Sequence, residues 1–111
     1  MSLSTHVLDT ARGRPASGVL VTCEVRDGAG WRELTQRRTD ADGRIGDLVE
    51  RDALQAGVHR LRFATGAWAD QAGQPSFWPE VTVEFEVSRP DEHHHVPLLL
   101  SPYGYSTYRG S

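Results

Sequence analysis

Residues 80–87, Glu80-Val81-Thr82-Val83-Glu84-Phe85-Glu86-Val87, alternate without a break: Val81, Val83, Phe85 and Val87 fall in one phase, Thr82, Glu84 and Glu86 in the other. Successive side chains of a β-strand point to opposite faces, so this stretch predicts a strand with one face in a core and one in water. The same alternation runs through VLVTCEVRD at 19–27 and through VHRLRF at 58–63, where His59, Leu61 and Phe63 share a face. Between the runs lie DGAG (27–30), DADG (40–43), QAG (55–57), SRPDE (88–92) and SPYG (101–104). These are turn compositions, because Gly adopts left-handed backbone angles and Asp and Ser side chains bond their own backbone.

Strands of this length at this spacing predict an all-β sandwich, two sheets burying their apolar faces against each other. We expect about eight strands, at 3–9, 18–26, 31–38, a short one near 43–46, then 57–64, 79–88, 93–100 and 103–109. ATGAWADQAG (64–73) alone has helical composition and predicts one short helix at about 66–72. Pro97 interrupts the strand HHHVPLLL; lacking an N–H, it must sit at a strand edge or at a locally unpaired position.

The chain has 111 residues, enough for one domain with one core, and carries a net charge of −3. All 12 positive side chains are arginine, scattered with no run longer than Arg37-Arg38, so neither nucleic acid nor an anionic membrane is an expected partner. Cys23, the only cysteine, is in phase with Val19, Val21 and Val25 and is expected to be a buried core thiol. The first residues, MSLSTHVLDT, lack the basic and apolar regions of a secretory signal, and VPLLL is too short to span a bilayer, so a cytoplasmic location is expected.

Histidines are the residues most able to carry chemistry. In an extended strand His94 shares a face with Val96, Leu98 and Leu100, while His93 and His95 face the other way. By itself the pair fits a solvated polar face. A zinc ion shared by His93 and His95 with a distant ligand such as His6 is a second possibility, unsupported by any cysteine pair or HExxH motif. Arg44 follows the DADG turn, which lacks the further ligands of an EF-hand loop and reads as a tight turn made possible by Gly43. Ser111 is the last residue. The final stretch, VPLLLSPYGYSTYRGS, is too rich in apolar and aromatic residues for a disordered tail and is expected to be folded.

LSTHVLDTARGRPASG near the start, FWPEVTVEFEV in the second half and HHHVPLLLSPYGYSTYRGS at the close resemble the 5-hydroxyisourate hydrolase family, the transthyretin-related proteins of purine catabolism. The resemblance runs nearly the whole length and is anchored in the tetrapeptide Tyr108-Arg109-Gly110-Ser111, the signature that separates these hydrolases from transthyretin, a carrier of the same fold. It implies a transthyretin-like sandwich of two four-stranded sheets with one short helix. It also implies a homotetramer with active sites at the dimer–dimer interface, and no cofactor. The outward face of the terminal strands would then line a channel closed by another copy of the chain. His6 matches the family's histidine in STHVLD, Arg44 the arginine of its DGR turn, and His95 the histidine before VPLLLSP, while Tyr108 and Ser111 come from the terminal tetrapeptide. His94 stands where a tyrosine is usual and is given no catalytic role.

The implied reaction is hydrolytic opening of 5-hydroxyisourate to 2-oxo-4-hydroxy-4-carboxy-5-ureidoimidazoline. Water attack on a ring carbonyl needs a base and donors for the developing oxyanion. His6 and His95 would bracket the water, Arg44 would bind substrate oxygens and stabilise charge, and Tyr108 and Ser111 would shape the pocket and contact substrate. The main alternative is a transthyretin-like small-molecule binding protein without catalysis; the bulk of Tyr108, which would narrow the channel, favours the hydrolase.

Overall fold

The computed structural model describes residues 2–111. In chain order the elements are β1 (Leu3–Asp9), β2 (Arg14–Pro15), β3 (Leu20–Asp27), β4 (Gly30–Arg38), β5 (Arg44–Val49), a 3₁₀ turn (Arg51–Ala53), β6 (Gly57–Phe63), α1 (Thr65–Ala72), β7 (Val81–Val87), β8 (His94–Ser101) and β9 (Gly104–Thr107). The strands form two sheets. One runs β4-β3-β6-β7; the other runs β2-β1-β8-β9, with β5 also paired to β1. β5 pairs with β1 through Leu3, Thr5 and His6, and β2 through Leu8 and Asp9, so the two share the same edge of β1 end to end. The expected pair of four-stranded sheets is therefore right in width, and the added piece is the two-residue β2. Proline at its second position, with no N–H to give, keeps such a segment short.

The period-two reading places the core correctly. Val81, Val83 and Val87 of β7, Leu61 and Phe63 of β6 and Val21 and Cys23 of β3 are buried, facing Leu3 and Val7 of β1 and Val96, Leu98 and Leu100 of β8. Cys23 is inert packing: burial pushes its thiol up to about 12, so no thiolate forms at neutral pH. His59 is fully buried beside Leu61 and Phe63, stacks on Phe85 at 5.9 Å between ring centres, and donates its Nδ1–H to the Gly57 carbonyl.

Among the described residues β1 and β8 are the only parallel neighbours, with Leu3 to Asp9 opposite His94 to Leu100. Pro97 lies inside β8 yet breaks no bond. Its carbonyl accepts from Thr107 Oγ1, and the His95 carbonyl two residues earlier accepts from Gly110 N–H, so this side of β8 faces β9 and the C-terminal segment. There the ladder is interrupted between Leu98↔Thr107 and His95↔Gly110, and the proline nitrogen falls in that gap, at a locally unpaired position as expected. Among the described residues no helix is long and apolar enough to cross a membrane.

Candidate active site

The outward face of the β1–β8 pair gathers the residues of interest because of the parallel register. Ser4 lies opposite His95, and His6 lies opposite Pro97 on one side and Arg44 on the other. Alternation on β1 puts Ser4 and His6 on this face, while Leu3, Thr5 and Val7 go to the core. On β8 the same rule sends His94 inward, where it is 5 % exposed, and leaves His95 half-buried and His93 exposed on the outer side.

The DADG turn aims two of these groups. Asp40 Oδ1 accepts from the backbone N–H of both Asp42 and Arg44 at 2.9 Å, fixing the start of β5. Gly43 has φ +75°, and a Cβ there would collide with the Val7 carbonyl, so glycine is required on both counts. The Asp42 carbonyl accepts from His6 Nε2–H at 3.0 Å. A carbonyl can only accept, so the neutral His6 ring carries its proton on Nε2 and keeps a lone pair on Nδ1.

The C-terminal segment closes the other side. Gly110 N–H donates to the His95 carbonyl at 2.8 Å, and the glycine backbone rides directly over the His95 ring. A Cβ at Gly110 would overlap His95 Cδ2 and stand 3.1–3.2 Å from Cγ and Cβ. This contact carries Ser111 into a hollow of about 310 Å³ that it lines with Ser4, Thr5, Arg44, Gly46, His93 and His95. His6 stands beside that hollow, across the ladder from Arg44. Tyr108 is 58 % exposed and lines a different hollow, of about 210 Å³, with His94, Val83, Phe85 and Val96. Within one chain, then, His6, Arg44, His95 and Ser111 come together and Tyr108 does not join them.

Burial holds the His95 imidazole below the ordinary histidine value, and the positive charge of His93, Arg44 and His6 works in the same direction; the Ser4 carbonyl opposes them weakly. His95 is thus kept neutral near pH 7 with a ring nitrogen available as a base. Among the described residues Arg44 has no carboxylate within ion-pair distance, unlike Arg60 and Arg62, which share Glu24. An uncommitted guanidinium beside the neutral His95 imidazole can bind an electron-rich, planar molecule while leaving that base unprotonated. Among the described residues no three His, Cys, Asp or Glu side chains gather as a metal-binding group.

Ser4 is the residue of this site that pattern reading passed over. It is 6 % exposed, and its Oγ lies 2.7 Å from His95 Nδ1 and 3.0 Å from His93 Nε2. Its spacing of two from His6 already places both on one strand face.

The sequence profile of the HIUase/Transthyretin family matches residues 3–110. The chain belongs to the HIUase/transthyretin family. Among members of this family, a 5-hydroxyisourate hydrolase of Caulobacter vibrioides is 50 % identical over 113 residues, covering 98 % of this chain and 97 % of the relative. The solved structure of Klebsiella pneumoniae 5-hydroxyisourate hydrolase superposes with a TM-score of 0.86 at 40 % identity, over 99 % of this chain and 93 % of that one. Sea bream transthyretin in complex with thyroxine superposes with a TM-score of 0.92 at 31 % identity, over 99 % of this chain and 95 % of that one. The two-sheet fold is therefore the family fold, and both a hydrolase and a thyroxine-bound transthyretin are built on it.

Proposed function

We propose that the chain is a hydrolase that opens the ring of 5-hydroxyisourate to 2-oxo-4-hydroxy-4-carboxy-5-ureidoimidazoline, without a cofactor. The observation that carries this reading is the half-buried, neutral His95 sharing one sheet face with His6 and the unpaired Arg44. One imidazole takes a proton from water as it attacks a ring carbonyl; the other orients the water or protonates the departing nitrogen. Arg44 holds substrate oxygens and stabilises the charge that develops on the carbonyl oxygen. Ser111, at the rim of the same hollow, bonds substrate or water.

The working form is a homotetramer with its sites where two dimers meet, in the cytoplasm. Two features support a second copy over this face. Leu8 and Leu99 are apolar yet only partly buried on the outward face beside the histidines, and Tyr108 lines a separate hollow within its own chain, so a neighbouring copy is needed to bring tyrosine to the site.

The test is spectrophotometric: 5-hydroxyisourate is generated from urate with urate oxidase, and its ultraviolet decay is followed with and without the protein. Loss of a general base removes about 10²–10⁴ in rate. Accelerated decay that is lost in His95→Ala and His6→Ala, with circular dichroism and oligomer size unchanged, is the expected result. Decay at the spontaneous rate from folded protein would instead favour a ligand carrier.

A further inference from the structure

Two histidines and one hydroxyl form a chain across β1 and β8 that no role so far described uses. We propose that Ser4 is a positioning residue that couples His95 to His93, so that the half-buried imidazole acts first as base and then as acid without holding the charge itself. The proposal rests on the hydrolytic reading above.

The geometry sets the roles. Ser4 Oγ sits 2.7 Å from His95 Nδ1 and 3.0 Å from His93 Nε2, and a hydroxyl has one proton, so it donates to one ring and accepts from the other. Ser4 Oγ occupies His95 Nδ1, so the nitrogen left to act as base is Nε2, and the neutral ring with that lone pair free carries its proton on Nδ1. Ser4 Oγ then accepts from His95 and donates to His93 Nε2, and His95 Nε2 is left with a free lone pair. When water attacks, its proton goes to His95 Nε2. The Nδ1 proton passes to Ser4 Oγ as the Ser4 proton passes to His93 Nε2, and the positive charge ends on His93. His95 is now neutral with a proton on Nε2, the form that can protonate the departing nitrogen. As the Nε2 proton leaves, the relay runs back: Ser4 Oγ returns its proton to His95 Nδ1 and takes the one held on His93, so all three groups end as they began.

Solvation gives the direction. His93 is exposed, whereas His95 is half-buried and faces Arg44 from β5 and His6 from β1. An imidazolium therefore costs less at His93. The rings are near-parallel, 16° apart with centres at 6.4 Å, too far for a direct bond, so among the described residues the Ser4 hydroxyl is what bridges them.

The experiment measures kcat and KM against pH for the intact protein and for Ser4→Ala, Ser4→Thr and His93→Ala, with circular dichroism and oligomer size as controls. Absence of activity in the unaltered protein would sink the hydrolytic reading and, with it, this one. Given activity, Ser4→Ala should lower kcat about tenfold with KM within about twofold, less than removal of the base itself. Its acid limb should move down by about half a pH unit, because the imidazolium loses an acceptor that bonds the charged form more strongly than the neutral one. Ser4→Thr, which keeps the hydroxyl, should restore both. His93→Ala should also lower kcat and move the acid limb downward, since the proton the unit takes up must then stay on the half-buried His95. A shared shift from Ser4→Ala and from removal of the exposed His93 does not follow from a packing defect. Normal kcat in Ser4→Ala, or an acid limb unmoved in both Ser4→Ala and His93→Ala, would overturn the proposal. An exposed His93 can be removed without unfolding, so a poorly folded Ser4→Ala still leaves a decisive measurement.

Discussion

Gly110→Ala separates the role of the C-terminal segment in the site from its role in the fold. Gly110 is not among the glycines with positive φ, so alanine meets no backbone strain, and its whole effect comes from one added methyl. That methyl would overlap His95 Cδ2, and overpacking of this kind costs about 1–3 kcal/mol if the structure holds still. It need not hold still. The tail is fastened here by one backbone bond, Gly110 N–H to the His95 carbonyl, worth about 0.5–1.5 kcal/mol net. Releasing the tail is therefore the cheaper response, and the stability lost is capped at about 1.5 kcal/mol, with about 4–8 °C of Tm for each kcal/mol. Activity should suffer more. His95 loses the backbone that fixes its ring and Ser111 leaves the hollow, and misplacement by about 1 Å can cost about 10²-fold in rate. The assay pairs a circular dichroism melt with decay of 5-hydroxyisourate. Unchanged kcat would show that the tail does not shape His95, and a Tm drop several times larger would show that it is part of the core.

Arg44→Lys keeps the charge but loses the planar fork, and should lower kcat/KM by at least about tenfold while circular dichroism stays unchanged. Residues added after Ser111 should crowd the hollow that Ser111 lines, so a long C-terminal tag should depress activity that returns when the tag is cleaved off. His59 and His95 are both held below the ordinary histidine value, His59 chiefly by burial. Each takes up a proton more readily when unfolded, so Tm should be level between about pH 7 and 8 and fall as pH drops through about 6.5 and below it; His59→Phe, which keeps a ring against Phe85, should flatten that fall.

Alternation made most of the fold legible. Seven of the expected strand segments begin or end within about two residues of those found, and the short one near 43–46 runs longer, as β5, Arg44–Val49. β2 was not foreseen, because two residues carry no period; it exists only because β1 offers it an unpaired edge. The outward direction of His93 and His95 and the inward direction of His94 followed from phase alone. The bridging of His93 and His95 by Ser4 did not, since it depends on β1 and β8 running parallel in one register, and a strand pairing between residues about ninety apart leaves no mark in either stretch. Gly110 was legible only as a member of a motif; the reason for glycine is the ring of His95 beneath it.

The fold does not choose between enzyme and binding protein: sea bream transthyretin in complex with thyroxine superposes at least as well as the Klebsiella hydrolase, with TM-scores of 0.92 and 0.86. The choice lies in what the outward face of β1 and β8 presents. A face meant only to hold an apolar ring gains nothing from an unpaired guanidinium between two imidazoles, whose mutual repulsion lowers stability as the pH falls. Here that arrangement is built in at several independent points: Asp40 fixes the strand that carries Arg44, the Asp42 carbonyl fixes the His6 tautomer, and Ser4 and Gly110 hold His95 from two sides. Orientation enforced on each titratable group separately is what proton transfer requires and what passive binding does not, so the hydrolase reading follows from the supports of these side chains as much as from the side chains themselves.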